Sequence, residues 1–282
     1  MSTSKERTVA LLHPGEMGAA VGACLVDRGY QVVWASLGRG AATRARANAA
    51  GLRDLGSVDA CVQAASTVLS VCQPHAATEL ARSVAVLGFH GTYIDANAIA
   101  SETAIGIARI LEAQGALFVD GGIIGPPPRP SVSTRLYLSG SGSREVAQLF
   151  NGSSLEAIAL DAPVGAASAL KVCYAAWTKG ATALLASIRA VAMQEGVEGA
   201  LLAEWRRSQP GLVERSDKVL GDSRKAWRWV SEMEEIAANF AAVGLPPGFH
   251  LAAADVYRRL ESKKDAATLP SYPEVVAAIS RG

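Results

Sequence analysis

The sequence predicts an α/β fold: a doubly wound, mostly parallel sheet followed by an all-α carboxyl-terminal half that opens on a long interdomain helix. Three observations carry this reading. Up to about residue 160, short β-branched runs alternate with Ala-rich helical stretches, the pattern of successive βαβ units. Beyond Asp161 strand signals stop. From Pro163 to Met193 an Ala- and Leu-rich run without a strong breaker is long enough for about eight helical turns.

In chain order, strands are expected at Thr8–Leu12, Gln31–Ala35, Thr67–Val71, Thr92–Asp95, Ala116–Asp120 and Arg135–Ser139. Helices fill the gaps at Gly15–Arg28, Ala41–Ala50, His75–Val86 and Ser101–Gln114. Gly29, Gly51, Gly88 and Gly115 each follow one of these helices, where a left-handed closing residue is cheapest for glycine. After the long helix, patterns of helical period cover Gly199–Ser208, Leu212–Leu220, Ser223–Val243, Phe249–Ser262 and Tyr272–Arg281. This places a nucleotide-binding domain at 1–162 and a substrate and dimerisation domain at 163–282.

Composition narrows the function classes. The 282 residues are 50% hydrophobic and 19% charged, ample for sizeable cores, and 27 basic against 26 acidic side chains leave a net charge of +1. Charge-driven binding to nucleic acid or to an acidic membrane surface finds no support there. Aromatic and basic residues do interleave at Trp205-Arg206-Arg207 and Lys225-Ala226-Trp227-Arg228-Trp229, but neighbouring acids offset them, and these tryptophans read as core or interface anchors. The four cysteines, Cys24, Cys61, Cys72 and Cys173, lack CxxC spacing and sit in apolar runs, which suits buried free thiols in a reducing cytoplasm better than disulfides or a metal site. The polar start and the short run Val9–Leu12 give no secretion signal. The charge-free stretches Ala60–Thr78 and Ile236–Ala254 are too interrupted by polar residues and proline to span a membrane.

The first chemical signal follows the first strand. His13-Pro14-Gly15-Glu16-Met17-Gly18 is a GxGxxG turn with histidine in the first glycine place and glycine retained where backbone approaches a pyrophosphate and where helix meets strand. Between Asp27 and Asp54 no acidic residue is present to bond an adenosine ribose. Ser36, Arg39, Arg44 and Arg46 follow the second strand instead, offering a 2′-phosphate hydroxyl and guanidinium partners, so NADP(H) is expected over NAD(H). Arg44 and Arg46 also fit the solvated face of a helix.

The carboxyl ends of the other strands carry Cys72-Gln73-Pro74, Asn97 and Gly121-Gly122-Ile123-Ile124 ahead of three prolines. Ligands of open α/β sheets sit at those ends. Asn97 either bonds a ribose or carboxamide or caps the turn before Ser101. The Gly-Gly and triple-proline stretch is a substrate platform or a rigid interdomain turn. Farther on, Lys171 is the only charged residue between Asp161 and Lys179. Burial among small apolar neighbours would lower its pKa toward the range useful for a general acid/base, while the alternative is a lysine snorkelling to water.

These residues resemble the β-hydroxyacid dehydrogenases, a family that includes 6-phosphogluconate and 3-hydroxyisobutyrate dehydrogenases, over nearly the whole chain. The family's Rossmann GxGxMG is similar to His13–Gly18, its D-x-x-V-S-G-G segment to Asp120–Pro126, and its G-x-G-x-x-x-K-x-x-N-N helix to Gly165–Ala175. PGEMG, DANAIA, DGGIIGPPP and AASALKVCYAAWTKG look closer still to a bacterial phosphogluconate dehydrogenase-like subgroup whose carboxyl-terminal domain has no assigned function. The resemblance implies that Lys171 is the catalytic lysine, exchanging a proton with the substrate oxygen while hydride passes to or from nicotinamide. The family serine corresponds to Ile124, and its paired asparagines to Tyr174 and Ala175, so the substrate pocket is rebuilt. The family's later Lys-Asp pair matches Ser231 and Glu232 only loosely. Tyr174, Trp177 and His250 are the candidates to line the pocket, with Arg129 and Arg135 as possible anion partners. Imine reductases look like the same family, which keeps C=N chemistry open, as the missing polar groups keep open a non-catalytic NADP(H) sensor. A homodimer built on the carboxyl-terminal helices is implied, acting on a small molecule.

Overall fold

In the computed structural model, residue 5 and residues 7–280 are described. The chain divides into two compact units, one reaching to Val172 and the other running from Cys173 onward.

The first unit contains strands β1 (Thr8–Leu12), β2 (Gln31–Trp34), β3 (Arg53–Asp54), β4 (Thr67–Ser70), β5 (Thr92–Asp95), β6 (Leu117–Ile124), β7 (Thr134–Ser139) and β8 (Leu155–Ala159). Its helices are α1 (Glu16–Asp27), α2 (Ala41–Ala49), α3 (Val58–Ala64), α4 (Ala77–Val86), α5 (Ser101–Glu112) and α6 (Ser143–Gln148), with a 3-10 turn at Pro74–Ala76. One eight-stranded sheet has the order β3-β2-β1-β4-β5-β6-β7-β8, parallel throughout except between β6 and β7. β1 is buried at every position, as continuous apolar strands of parallel sheets are. Ala10, Leu12, Val33, Val68, Tyr93 and Phe118 face Cys61, Val84 and Ile107 of α3, α4 and α5. Val9, Leu11, Val32, Leu69, Ile94 and Val119 face Val21 and Leu25 of α1 and Val146 of α6. Helices thus cover both faces, the doubly wound arrangement expected, and the four helix-closing glycines adopt positive φ.

β3, α3, α6 and β8 had no counterpart in the expected elements. β6 also runs to Ile124 instead of stopping at Asp120, because Gly121–Ile124 pair antiparallel with Arg135–Leu138. The Gly-Gly stretch is therefore strand and not loop.

The long helix α7 (Ala166–Gln194) crosses from the first unit into the second. The second unit adds α8 (Glu198–Ser208), α9 (Leu212–Asp222), α10 (Val230–Ala242), α11 (Gly248–Arg259) and α12 (Tyr272–Ile279). Arg281, expected to end the last helix, lies outside the described residues. The single helix expected over Ser223–Val243 breaks into a 3-10 turn at Ala226–Trp229 and α10, with the Trp229 ring set edge-on to Tyr257 at 5.2 Å. Trp205 is buried with Leu185 and Val213, a core anchor as expected. Arg189 of α7 bonds Glu198, Ser216 and Asp217 and lies 3.4 Å from the Tyr272 ring centroid, so a buried guanidinium joins α7, α8, α9 and α12 through four hydrogen bonds. Lys179 of α7 forms an ion pair with Glu232 of α10. No described helix is long and apolar enough to cross a membrane.

Candidate active site

A row of buried polar side chains crosses the carboxyl edge of the sheet. Ser70, Asp95 and Asp120 are register partners on successive parallel strands, and Ser139 stands opposite Asp120. Asn97 ties the row together, donating from Nδ2 to Ser70 Oγ at 2.9 Å, donating its backbone N–H to Asp95 Oδ1 at 3.0 Å, and accepting the Cys72 N–H at 2.5 Å. With 2% of its surface exposed, Asn97 spends its amide on holding the β4 and β5 loops together; it is not the helix cap, a place held by Ala100. Asp95 is fully enclosed and its Oδ2 has no hydrogen-bond partner, so burial lifts its pKa to about 7. Burial likewise raises the Cys72 thiol to about 12, leaving it protonated and weakly nucleophilic. Gln73 and Pro74 continue this loop into the 3-10 turn.

The next member of the row anchors the long helix. Asp120 Oδ2 accepts from Ser139 Oγ at 2.9 Å, Gly165 N–H at 3.0 Å and Ser168 N–H at 3.0 Å, and Oδ1 accepts from Ser168 Oγ at 2.6 Å. Ser139 Oγ in turn accepts the Ala167 N–H at 3.0 Å. Strand carboxyl and hydroxyl groups therefore satisfy the orphan donors of the helix start, a capping job usually done by a residue local to the helix. Lys171 lies one turn beyond Ser168. A Cβ added to Gly122 would stand 2.9 Å from Lys171 Cβ and 2.6 Å from Ala167 O, so glycine is what lets α7 rest directly on β6 there. Gly121 similarly admits the Asp95 carbonyl, 2.8 Å from where its Cβ would be. Ile123 and Ile124 are buried in β6. Lys171 itself is half-buried and not enclosed as the sequence suggested: Leu170, Cys173 and Tyr174 beside it are exposed. Cys173 thereby departs from the expected buried thiol, while all four cysteines are free.

The turn after β1 has the form a dinucleotide loop requires. His13 takes φ 71°, the left-handed conformation that the first glycine of such a loop would adopt. A Cβ on Gly18 would meet His13 O at 2.5 Å, which explains the third glycine by packing. A Cβ on Gly15 would meet no protein atom within 4 Å, so no packing within the protein requires glycine there. Pro14 is buried, Glu16 opens α1 and Met17 packs onto the core beneath it. Burial, reinforced by the charge of Arg39, lowers the His13 pKa to about 4, so its imidazole is neutral at physiological pH. The left-handed histidine is strained; His13→Gly is expected to raise stability by about 1 kcal/mol in urea unfolding, and a decrease would show that ring packing outweighs backbone relief.

Pairing of β2 with β3 brings an acidic side chain beside the turn after β2. Trp34 of β2 and Asp54 of β3 are register partners, so Asp54 stands beside the Ser36 turn although the sequence separates them by a helix. The Asp54 carboxyl accepts from Gly56 N–H at 2.8 Å, and the Ser36 hydroxyl beside it, foremost, holds its pKa below the usual value. Arg44 is no merely solvated side chain: it donates to Ser36 O at 3.0 Å and Arg39 O at 3.3 Å, with its other nitrogen 4.0 Å from Asp54. Arg46 turns back onto Thr43 within its own helix. Arg39 is half-buried, close enough for its charge to act on both His13 and Cys72.

The remaining candidates belong to the second unit. Tyr174 and Trp177 are exposed on α7, and the Arg215 guanidinium lies 5.0 Å from the Trp177 ring centroid. His250 is buried against Phe240, ring centroids 4.5 Å apart, with its pKa lowered by burial. It packs as a core histidine would. Glu232, loosely matched to a family acid, is paired with Lys179 instead. In the first unit, Arg129 is exposed and Arg135 half-buried.

Known proteins bear on both parts of the chain. The family described as the NAD binding domain of 6-phosphogluconate dehydrogenase matches residues 8–164, and a domain of unknown function, DUF1932, matches residues 192–260. No curated protein matches the sequence. A conserved hypothetical protein from Sinorhizobium meliloti is 26% identical, with 99% of this chain and 97% of that one covered at a TM-score of 0.69. The 3-hydroxyisobutyrate dehydrogenase of Mycobacterium tuberculosis, solved with L-serine, is 18% identical over 98% of this chain and 100% of its own, at a TM-score of 0.73. A reductive aminase from Aspergillus terreus, solved with NADPH, cyclohexanone and allyl amine, is 17% identical over 98% and 99% at a TM-score of 0.57. The last two likenesses are likenesses of fold.

Proposed function

The chain belongs to the family of the NAD binding domain of 6-phosphogluconate dehydrogenase, and from that premise we propose a pyridine-nucleotide oxidoreductase acting on the CH–OH group of a small hydroxy acid or alcohol, or in reverse on the ketone. The observation that carries this reading is the placement of Lys171, whose stem lies on Gly122 at the carboxyl edge of the sheet, on a helix fixed by Asp120. Residues 1–162 would bind the cofactor and residues 163–282 would supply substrate contacts and the dimer.

A bound nicotinamide would accept or deliver the hydride. The chain supplies the rest. His13–Gly18 would receive the pyrophosphate at the start of α1, Ser36 and Arg39 the adenosine ribose, and Cys72, Gln73 and Pro74 would flank the cofactor on a loop that Asn97 braces. Arg39 favours NADP(H) over NAD(H). Lys171 Nζ would take the hydroxyl proton in oxidation and return it in reduction. Gly121–Ile124 would form the substrate floor, with the apolar Ile124 in the family serine's place, and Tyr174 and Trp177, which follow Lys171 along α7, are proposed as further substrate contacts.

C=N reduction is the second reading, favoured by the altered polar positions and by the likeness to the reductive aminase. Incubation with NADPH and a matched panel of 3-oxo acids, ketones and cyclic imines separates the two: NADPH oxidation with the carbonyl compounds is expected, turnover of imines alone would move the assignment to C=N bonds, and NADPH binding without turnover would make the protein a sensor.

A homodimer is part of the proposal. Tyr174, Trp177, Leu184, Ile188 and Val191 form an exposed apolar stripe on α7 with mixed spacings of three, four and seven residues, the spacing by which one helix packs against another copy of itself. Sedimentation at twice the chain mass is expected, and a monomer at micromolar concentration would contradict it. The four free thiols suit a reducing cytoplasm.

A further inference from the structure

We propose that Asp54 sets the balance between the two pyridine dinucleotides, opposing Arg39 at the adenosine ribose. The inference rests on the reading that His13–Gly18 binds a dinucleotide, since only then does the turn after β2 meet the ribose.

The acid belongs to the wrong strand for a simple reading, and geometry supplies it anyway. β3 is two residues long and ends at Asp54, beside the end of β2. Two further bonds lash the strand ends together, Leu55 N–H to Trp34 O at 2.9 Å and Leu37 N–H to Gly56 O at 2.9 Å. Asp54 is thus fixed against the Ser36 turn while 39% of its side-chain surface stays open to solvent.

Its effect on selectivity follows from its charge, which stands at the turn after β2 and stays partly open to solvent. Arg44, the nearest additional cation, is committed to the Ser36 and Arg39 carbonyls and to Asp54. A 2′-phosphate would therefore meet one guanidinium in its favour, that of Arg39, and a carboxyl group against it. The 2′-hydroxyl of NAD(H) meets an acceptor and no repulsion. Arg39 and Asp54 pull in opposite directions, and the cofactor preference is narrow for that reason.

Fluorescence titration of NADPH and of NADH into the full-length protein tests this without requiring turnover. Asp54→Asn keeps an acceptor for Gly56 N–H and removes the charge; NADPH should bind about tenfold tighter while NADH does not gain. Asp54→Ala, which removes the carboxyl outright, should move the NADPH-to-NADH ratio in the same direction, and it keeps the inference testable if the Asn variant folds poorly by thermal unfolding. Arg39→Ala should weaken NADPH alone. An unchanged NADPH-to-NADH ratio in Asp54→Asn, or equal weakening of both, would reduce Asp54 to a brace and overturn the proposal while leaving the dinucleotide reading intact. Failure of the wild-type protein to bind either cofactor would overturn both.

Discussion

Lys171→Met should lower turnover by about 10²- to 10⁴-fold, the usual worth of a positioned general acid/base, while NADPH affinity stays that of the wild type. Methionine keeps the aliphatic stem that lies on Gly122, so the substitution removes the amine with little change in packing. A lysine that only snorkelled from a structural helix would leave turnover intact. The split between kcat and cofactor binding separates a chemical role from a collapsed site. Retained turnover would remove Lys171 from the mechanism.

Asp120→Ala should destabilise the protein by about 3–5 kcal/mol in urea unfolding, the range for breaking a buried hydrogen-bonded network. The carboxyl accepts four hydrogen bonds, and its removal leaves the Ser139 and Ser168 hydroxyls and the Gly165 and Ser168 N–H groups without their acceptor in a region closed to water. Each unsatisfied buried group costs about 1–3 kcal/mol, with partial relaxation making the sum less than additive. Asp120→Asn retains an acceptor but presents a donor toward N–H groups, and should lie between alanine and wild type. Because the same carboxyl fixes the start of α7, both variants should lower turnover more than they weaken NADPH. A loss below about 1 kcal/mol for the alanine variant would show that water or neighbouring groups replace the carboxyl.

Where local pattern and tertiary structure agreed, the sequence was sufficient. β1 and β5 coincide with the expected strands residue for residue, because short runs ahead of the glycine-closed helices α1 and α5 leave few alternatives. The elements not anticipated are short or weakly patterned. β3 is the exposed pair Arg53-Asp54, α6 has six residues, and β8 is buried only at Leu155. Such pieces exist because neighbouring strands offer backbone partners, information absent from any local window.

The site divides along the same line. The glycine turn and Lys171 were legible because a nucleotide loop and a lone charge in an apolar helix are local features. The use of Asp120 to cap a helix 48 residues downstream is a tertiary fact with no periodic trace. Asp54 escaped notice for a related reason: an acid was sought at the end of β2, whereas parallel pairing brings one beside it from β3. His250 was drawn toward the pocket by resemblance, yet its ring fills a core position beside Phe240 and Gly180. Burial of Lys171 was overestimated because helical neighbours alone do not reveal which side faces water.

The central claim is that this chain moves hydride between nicotinamide and a carbinol carbon with Lys171 exchanging the proton. NADPH carrying deuterium at the transferable C4 position, incubated with the wild-type protein and the panel of 3-oxo acids and ketones, tests it most directly by mass spectrometry of the products. One deuterium is expected on the carbinol carbon of the resulting alcohol, and its loss in Lys171→Met. A wild-type protein that binds the labelled cofactor yet passes no deuterium to any carbonyl compound would contradict it.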